Sequence, residues 1–135
     1  MKTIACVALM AMLSAPAFAD HKVAVLDGTS WKVEVEPDAM AKDKGEKEFK
    51  ETLIFADGNL STTSRQEIGF VASAYTVSPD PKSKDVTFRS EQVSEHEGSS
   101  TWTGTIHEDH VEGKMIWKKS NGAIFTFTFK GEKLH

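Results

Sequence analysis

An all-β fold is predicted, an eight-stranded antiparallel up-and-down (meander) β-barrel. Three features predict it: the two-residue period of the apolar positions, the brevity of the segments that carry it, and the turn chemistry between them. Apolar residues recur at every second position and hardly anywhere at every third or fourth, as in strands with one buried face. Gly, Asn, Asp, Ser and Pro separate the segments and favour turns. Eight consecutive strands leave two unpaired edges unless the sheet curls and closes, and eight are enough for a barrel. A small two-sheet sandwich satisfies the same alternation and is the alternative at this level.

The strands fall at 30–36, 49–56, 59–64, 70–77, 85–92, 99–106, 111–118 and 123–130, with one or two helical turns at 38–43. Loop length fixes which residues face one another across a hairpin. With Asp57-Gly58 as a type I′ turn, Phe55 faces Leu60, Leu53 faces Thr62 and Glu51 faces Ser64. The loop His107-Glu108-Asp109-His110 sets Ile106 against Val111, Gly104 against Gly113 and Trp102 against Met115. A two-residue Asn121-Gly122 loop puts Phe125 and Phe127 on the wrong face. The three-residue loop Ser120-Asn121-Gly122 instead sets Trp117 against Phe125, Met115 against Phe127 and Gly113 against Phe129, so that a ring covers the facing glycines.

Residues 1–19 read as a secretory signal peptide: Lys2, an apolar run from Thr3 to Leu13, and the small-residue site Ala17-Phe18-Ala19. Residues 20–135 then form a single barrel domain, exported to the periplasm or the exterior. Cys6, the one cysteine, leaves with the leader, so no disulfide and no thiolate chemistry are expected in the mature chain. The net charge of −4 argues against a nucleic-acid surface, and no later run approaches the roughly 18 apolar residues of a membrane span.

A meander places 57–58, 79–84, 107–110 and the C-terminus at one end, A, and 37–48, 65–69, 93–98 and 120–122 at the other, B. Inward positions near end A are Trp31, Phe55, Leu60, Val86, Ile106, Val111 and Phe129, an apolar plug. Toward end B the same faces carry Glu51, Ser64, Ser90, Gln92 and Ser100 beside Phe49, Trp102 and Trp117. An apolar floor with a few polar groups at its mouth is the usual make-up of a small-molecule site. These eight residues are therefore the candidate ligand-binding set for a small apolar or amphipathic ligand, with 37–48 as a lid; a barrel filled by its own side chains is the alternative.

Gly28-Thr29-Ser30-Trp31, followed by Val33 and Val35, resembles the opening of lipocalin-like (calycin) barrels, in which a tryptophan packs across the closed end. The chain lacks the disulfides and C-terminal helix of that family, and Lys130 is the nearest counterpart of its late arginine. Thr101-Trp102-Thr103-Gly104 is similar to a strand of avidin-like barrels, without their set of polar biotin contacts. Both resemblances imply a closed meander, and the first implies a ligand cup.

Chemistry beyond binding finds no support. No nucleophile elbow, zinc-protease motif or phosphate loop occurs, and Glu51 is the one inward carboxylate, so no enzyme activity and no cofactor are expected. His107, Glu108, Asp109 and His110 are metal-ligand types, but a tight turn offers two ligands on one side at best and a third would have to come from His21 or His135 near the chain ends, so no metal site is assigned. Ile54, Ile116 and Ile124 point outward and offer a contact patch for the competing role, a structural or protein-interaction module of the cell envelope. The sequence leaves the oligomeric state open.

Overall fold

A computed structural model describes residues 24–135; the expected leader and His21 lie outside the described residues. A 3-10 turn (Ala24–Leu26) precedes β1 (Thr29–Pro37), α1 (Ala39–Asp43), β2 (Phe49–Ala56), β3 (Asn59–Thr62), α2 (Thr63–Gln66), β4 (Ser73–Pro79), β5 (Val86–Ser94), β6 (Gly98–His107), β7 (His110–Lys118) and β8 (Ile124–Lys133). The eight strands pair antiparallel in sequence order, and β8 returns to β1, with Val35 opposite Phe129, to close a barrel. Closure removes both sheet edges and rules out the sandwich.

Every hairpin register read from turn length is present where both residues lie on strands. Phe55 faces Leu60, Ile106 faces Val111, Gly104 faces Gly113 and Trp117 faces Phe125. Asp57 and Gly58 both have positive φ, 55° and 77°, as a type I′ turn requires. Most strand bounds shift by one or two residues, and β8 runs on to Lys133 instead of 130; two differences change the architecture. β3 stops at Thr62 instead of 64 because the chain turns into α2 there, and β4 begins at Ser73 instead of 70. Phe70 still enters the core, carried by the connection rather than by a strand.

Facing glycines leave room for aromatic rings on the inner face of β6 and β7. A Cβ on Gly104 would lie 2.7 Å from the Phe88 ring and 2.9 Å from Phe129 Cζ, and one on Gly113 would lie 2.0 Å from the Thr103 carbonyl oxygen. The missing side chains let Phe129 lie across the strands, where it meets Trp102 edge-on at 5.2 Å between ring centroids.

End A closes as expected, with a fastening that hydrophobic alternation does not disclose. Trp31 is buried there and its indole N–H donates to Thr29 Oγ1 at 3.0 Å. The Asp27 carboxylate accepts from the Gly58 amide and, at 2.7 Å, from the Tyr75 hydroxyl, tying the 3-10 turn across the barrel mouth. Burial, then the bond to Asp27, raises the Tyr75 hydroxyl well above the ordinary tyrosine pKa.

Gly104→Ala is expected to destabilise the barrel by about 1–3 kcal/mol through overpacking against Phe88 and Phe129, read as a lower urea midpoint at unchanged slope. Ile124→Ala, at an exposed position, should cost much less. Tyr75 is the single tyrosine, so an ultraviolet titration reads it alone. Its folded pKa is raised, so its stabilisation is complete below about pH 10, the unfolded value, and declines above it. Tyrosinate absorbance in the native chain should therefore lag behind that of the urea-unfolded chain.

Candidate functional site

End B is built around two charged side chains whose separation along the sequence is short. Glu51 lies on the inward face of β2, and α2 begins 12 residues later, just past the β2–β3 hairpin. The Glu51 carboxylate is buried and accepts from Thr52 N (3.0 Å), Thr63 Oγ1 (2.8 Å), Ser64 N (2.8 Å), Arg65 N (3.2 Å) and the Ser64 hydroxyl. The amides at the start of a helix have no intrahelical acceptors. A carboxylate from the neighbouring strand supplies them here, since no capping side-chain bond comes from Thr62. This is the physical reason that β3 ends at Thr62.

With its amide held on Glu51, Arg65 projects into the barrel and is 5% exposed, which makes it an interior residue. Its guanidinium carbon lies 4.2 Å from the Trp117 ring centroid, 5.0 Å from that of Phe70 and 5.5 Å from that of Phe49. Aromatic faces attract such a cation at these distances. Its two hydrogen bonds both leave Nη2, to Ser100 Oγ at 3.2 Å and to the Met115 sulfur at 3.6 Å, while the buried Nε has no acceptor. Burial lowers the guanidinium pKa to about 10, against the opposing pull of Glu51, Glu46 and Glu97, so it stays cationic at neutral pH.

A second polar group sits beside this one. The Gln92 side chain is fully buried; its carbonyl accepts from Thr62 Oγ1 (3.2 Å) and the Trp102 indole (3.1 Å), and its amide donates to the Leu60 carbonyl (3.2 Å). Gln92 thereby joins β5 to β3 across the gap that β4 leaves, since β3 and β4 share only two residue pairs. Ser90 closes the adjoining part of that gap by donating to the Ser73 and Ala74 carbonyls at 3.2 and 3.0 Å.

The lid position is occupied by α1. Asp38 caps it through Ala41 N at 2.9 Å, and Ala41 is buried in the core. Lys119 Nζ reaches Glu46 at 3.4 Å and lies 4.4 Å from the Trp117 ring, so the 37–48 connection and the β7–β8 turn meet over the same indole. The Trp117 N–H donates to the Glu97 carbonyl at 2.7 Å.

The structure divides the eight candidate residues into two groups. Phe49, Glu51, Ser64, Ser100 and Trp117 surround Arg65 and α2, with Ser64 on the helix rather than on a strand. Gln92, Trp102 and Ser90 form the second group, turned toward β3 and β4. Arg65, central to the first group, was assigned to a connecting loop by strand periodicity. The run Thr62-Thr63-Ser64 before it, typical of helix starts, is the signal that marks it.

The histidines do not converge. His107 Nδ1 lies 2.5 Å from Asp85, His110 pairs with Glu132 at 3.7 Å and His135 with Asp109 at 3.4 Å, each on its own carboxylate. The outer wall carries an open hollow of about 870 Å³ along β1, β7 and β8, lined by Lys32, Glu34, Lys50, Glu112, Lys130 and Glu132 among others; its charges alternate in sign. Ile116 and Ile124 are exposed on adjacent strands, while Ile54 lies on β2, away from them. Among the described residues no helix is long and apolar enough to cross a membrane.

These features define a closed eight-stranded meander barrel, consistent with a calycin-like architecture, that carries a buried cation and its polar supports at one end. No family model, curated protein or solved structure matches the chain.

Replacing the carboxylate that anchors α2 tests this construction. Glu51→Gln turns one acceptor oxygen into a donor facing backbone and hydroxyl donors, and is expected to cost about 1–3 kcal/mol in urea unfolding. Glu91→Gln, on the exposed face of β5, should change stability by less than about 0.5 kcal/mol.

Proposed function

We propose that the protein is an exported, non-enzymatic barrel of the calycin-like type that holds a small apolar or amphipathic ligand at end B, beneath the 37–48 connection. One observation carries the reading: a guanidinium lies within an aromatic surround of Trp117, Phe70 and Phe49 at the end where the polar inward residues collect. Apolar walls with one fixed polar group are the ordinary chemistry of a small-ligand site. Access is gained by displacing α1, a helix of five residues fastened by the Asp38 amide to the Thr126 carbonyl and by the Lys119–Glu46 pair. Export rests on the leader pattern of residues 1–19.

A second reading has its own support. The side chains of Gln92, Thr62, Trp102 and Ser100 satisfy one another or Arg65 inside the barrel, as in a filled core that serves only as scaffold. Under that reading the protein is a structural or interaction module of the envelope, working through its outer wall and loops.

Native mass spectrometry of protein purified from its own compartment separates the two, combined with thermal unfolding in the presence of 1-octanol as a neutral apolar probe. The ligand reading predicts a retained small mass that unfolding releases, or an octanol-dependent rise in melting temperature, since a ligand at a hundredfold its Kd stabilises by about 2.7 kcal/mol. A bare polypeptide mass together with an unmoved melting temperature supports the filled scaffold instead.

A further inference from the structure

We infer that the ligand of end B bears a carboxylate, and that Arg65 is the group that receives it; this rests on the proposed reading of end B as a ligand site. An ionised side chain inside a protein is ordinarily paired, because removing it from water uncompensated is costly. Arg65 is 5% exposed, and among the described residues no ion pair reaches it. The nearest candidate, Glu51, is already engaged: its two oxygens accept from α2 and from Thr52, and they hold the Arg65 amide rather than the guanidinium. Lys119, the other cation at this end, is occupied by Glu46.

The free hydrogen-bonding capacity is specific in shape. Nε is buried without an acceptor, and Nη2 has only a serine hydroxyl and a thioether as partners. Nε–H and the Nη2–H that now points to the weak thioether acceptor form one edge of the guanidinium fork; a carboxylate takes both in parallel by displacing the Met115 contact. With Glu51, Glu46 and Glu97 already acting on this cation, a monoanion is favoured, because a phosphate dianion would add a second negative charge to their repulsion. The Trp117, Phe70 and Phe49 rings suit an apolar tail behind the acid.

The test uses the mature chain at pH 7, with binding followed by calorimetry and by tryptophan fluorescence. Octanoate, 1-octanol and inorganic phosphate are the probes. Octanoate should bind at least about tenfold more tightly than octanol, and more tightly than phosphate. Arg65→Met should weaken octanoate about thirtyfold or more and abolish its advantage over octanol. Arg65→Lys keeps the charge without the fork and should lose about tenfold, so the inference stays testable if the methionine variant does not fold. Equal binding of octanoate and octanol, or octanoate binding indifferent to both substitutions, overturns the carboxylate inference and leaves end B as a neutral ligand site. Phosphate binding as tight as octanoate overturns the carboxylate class. Binding of none of the three overturns the inference and the ligand reading of end B together.

Discussion

The cost of holding a positive charge inside a small apolar barrel governs how end B is built. Water is replaced around the Arg65 guanidinium by three aromatic rings, a serine hydroxyl and a thioether, none of which carries charge. Such a surround attracts a cation, yet each contribution is small compared with hydration, so the side chain must be fixed from behind. Glu51 does this through the backbone, gathering the first amides and hydroxyls of α2 on one carboxylate. Helix position, guanidinium position and strand end are consequently one decision: where β3 stops, α2 starts, and Arg65 points inward.

The opposite end solves a simpler problem with the same device. Asp27 holds a backbone amide and a phenol across the mouth, so each end has a carboxylate that fixes backbone from a neighbouring element, over a long sequence separation at this end and a short one at end B. Between them the wall depends on volume rather than charge. Gly104 and Gly113 make room for Phe129 and Phe88, and the rings that fill this room link β5 to β8 across the interior. Polar closure at the ends and aromatic filling between them hold a barrel whose chain, with one cysteine, forms no internal disulfide.

The parts that were legible in the sequence follow local rules. Hairpin register depends on loop length and on the hand of the turn, both written in adjacent residues such as Asp57-Gly58 and Ser120-Asn121-Gly122, so the facing pairs emerged correctly. Burial followed from strand alternation for the same reason. What alternation missed depends on partners elsewhere in the chain. The hydroxyl run Thr62-Thr63-Ser64 marks a helix start, but nothing near it shows that Glu51 will hold that start or that Arg65 will point inward. Phe70 is the converse, an apolar residue rightly placed inside but carried there by a connection. Among the candidate residues, alternation turns Glu51, Ser90, Gln92 and Ser100 inward, and each is buried, yet their mutual hydrogen bonds and the cation beside them depend on three-dimensional neighbours.

The central claim is that the Arg65 guanidinium is buried over Trp117, and proton–nitrogen NMR of the arginine Nε–H groups tests it most directly, with Arg89 on the outer face as internal reference. The Arg65 signal should be displaced upfield by the indole ring and should exchange with water far more slowly than that of Arg89. Two arginine signals with the same solvent exchange and no ring-current displacement would contradict the account, because the guanidinium would then be in water and end B would lack the charge around which it is described.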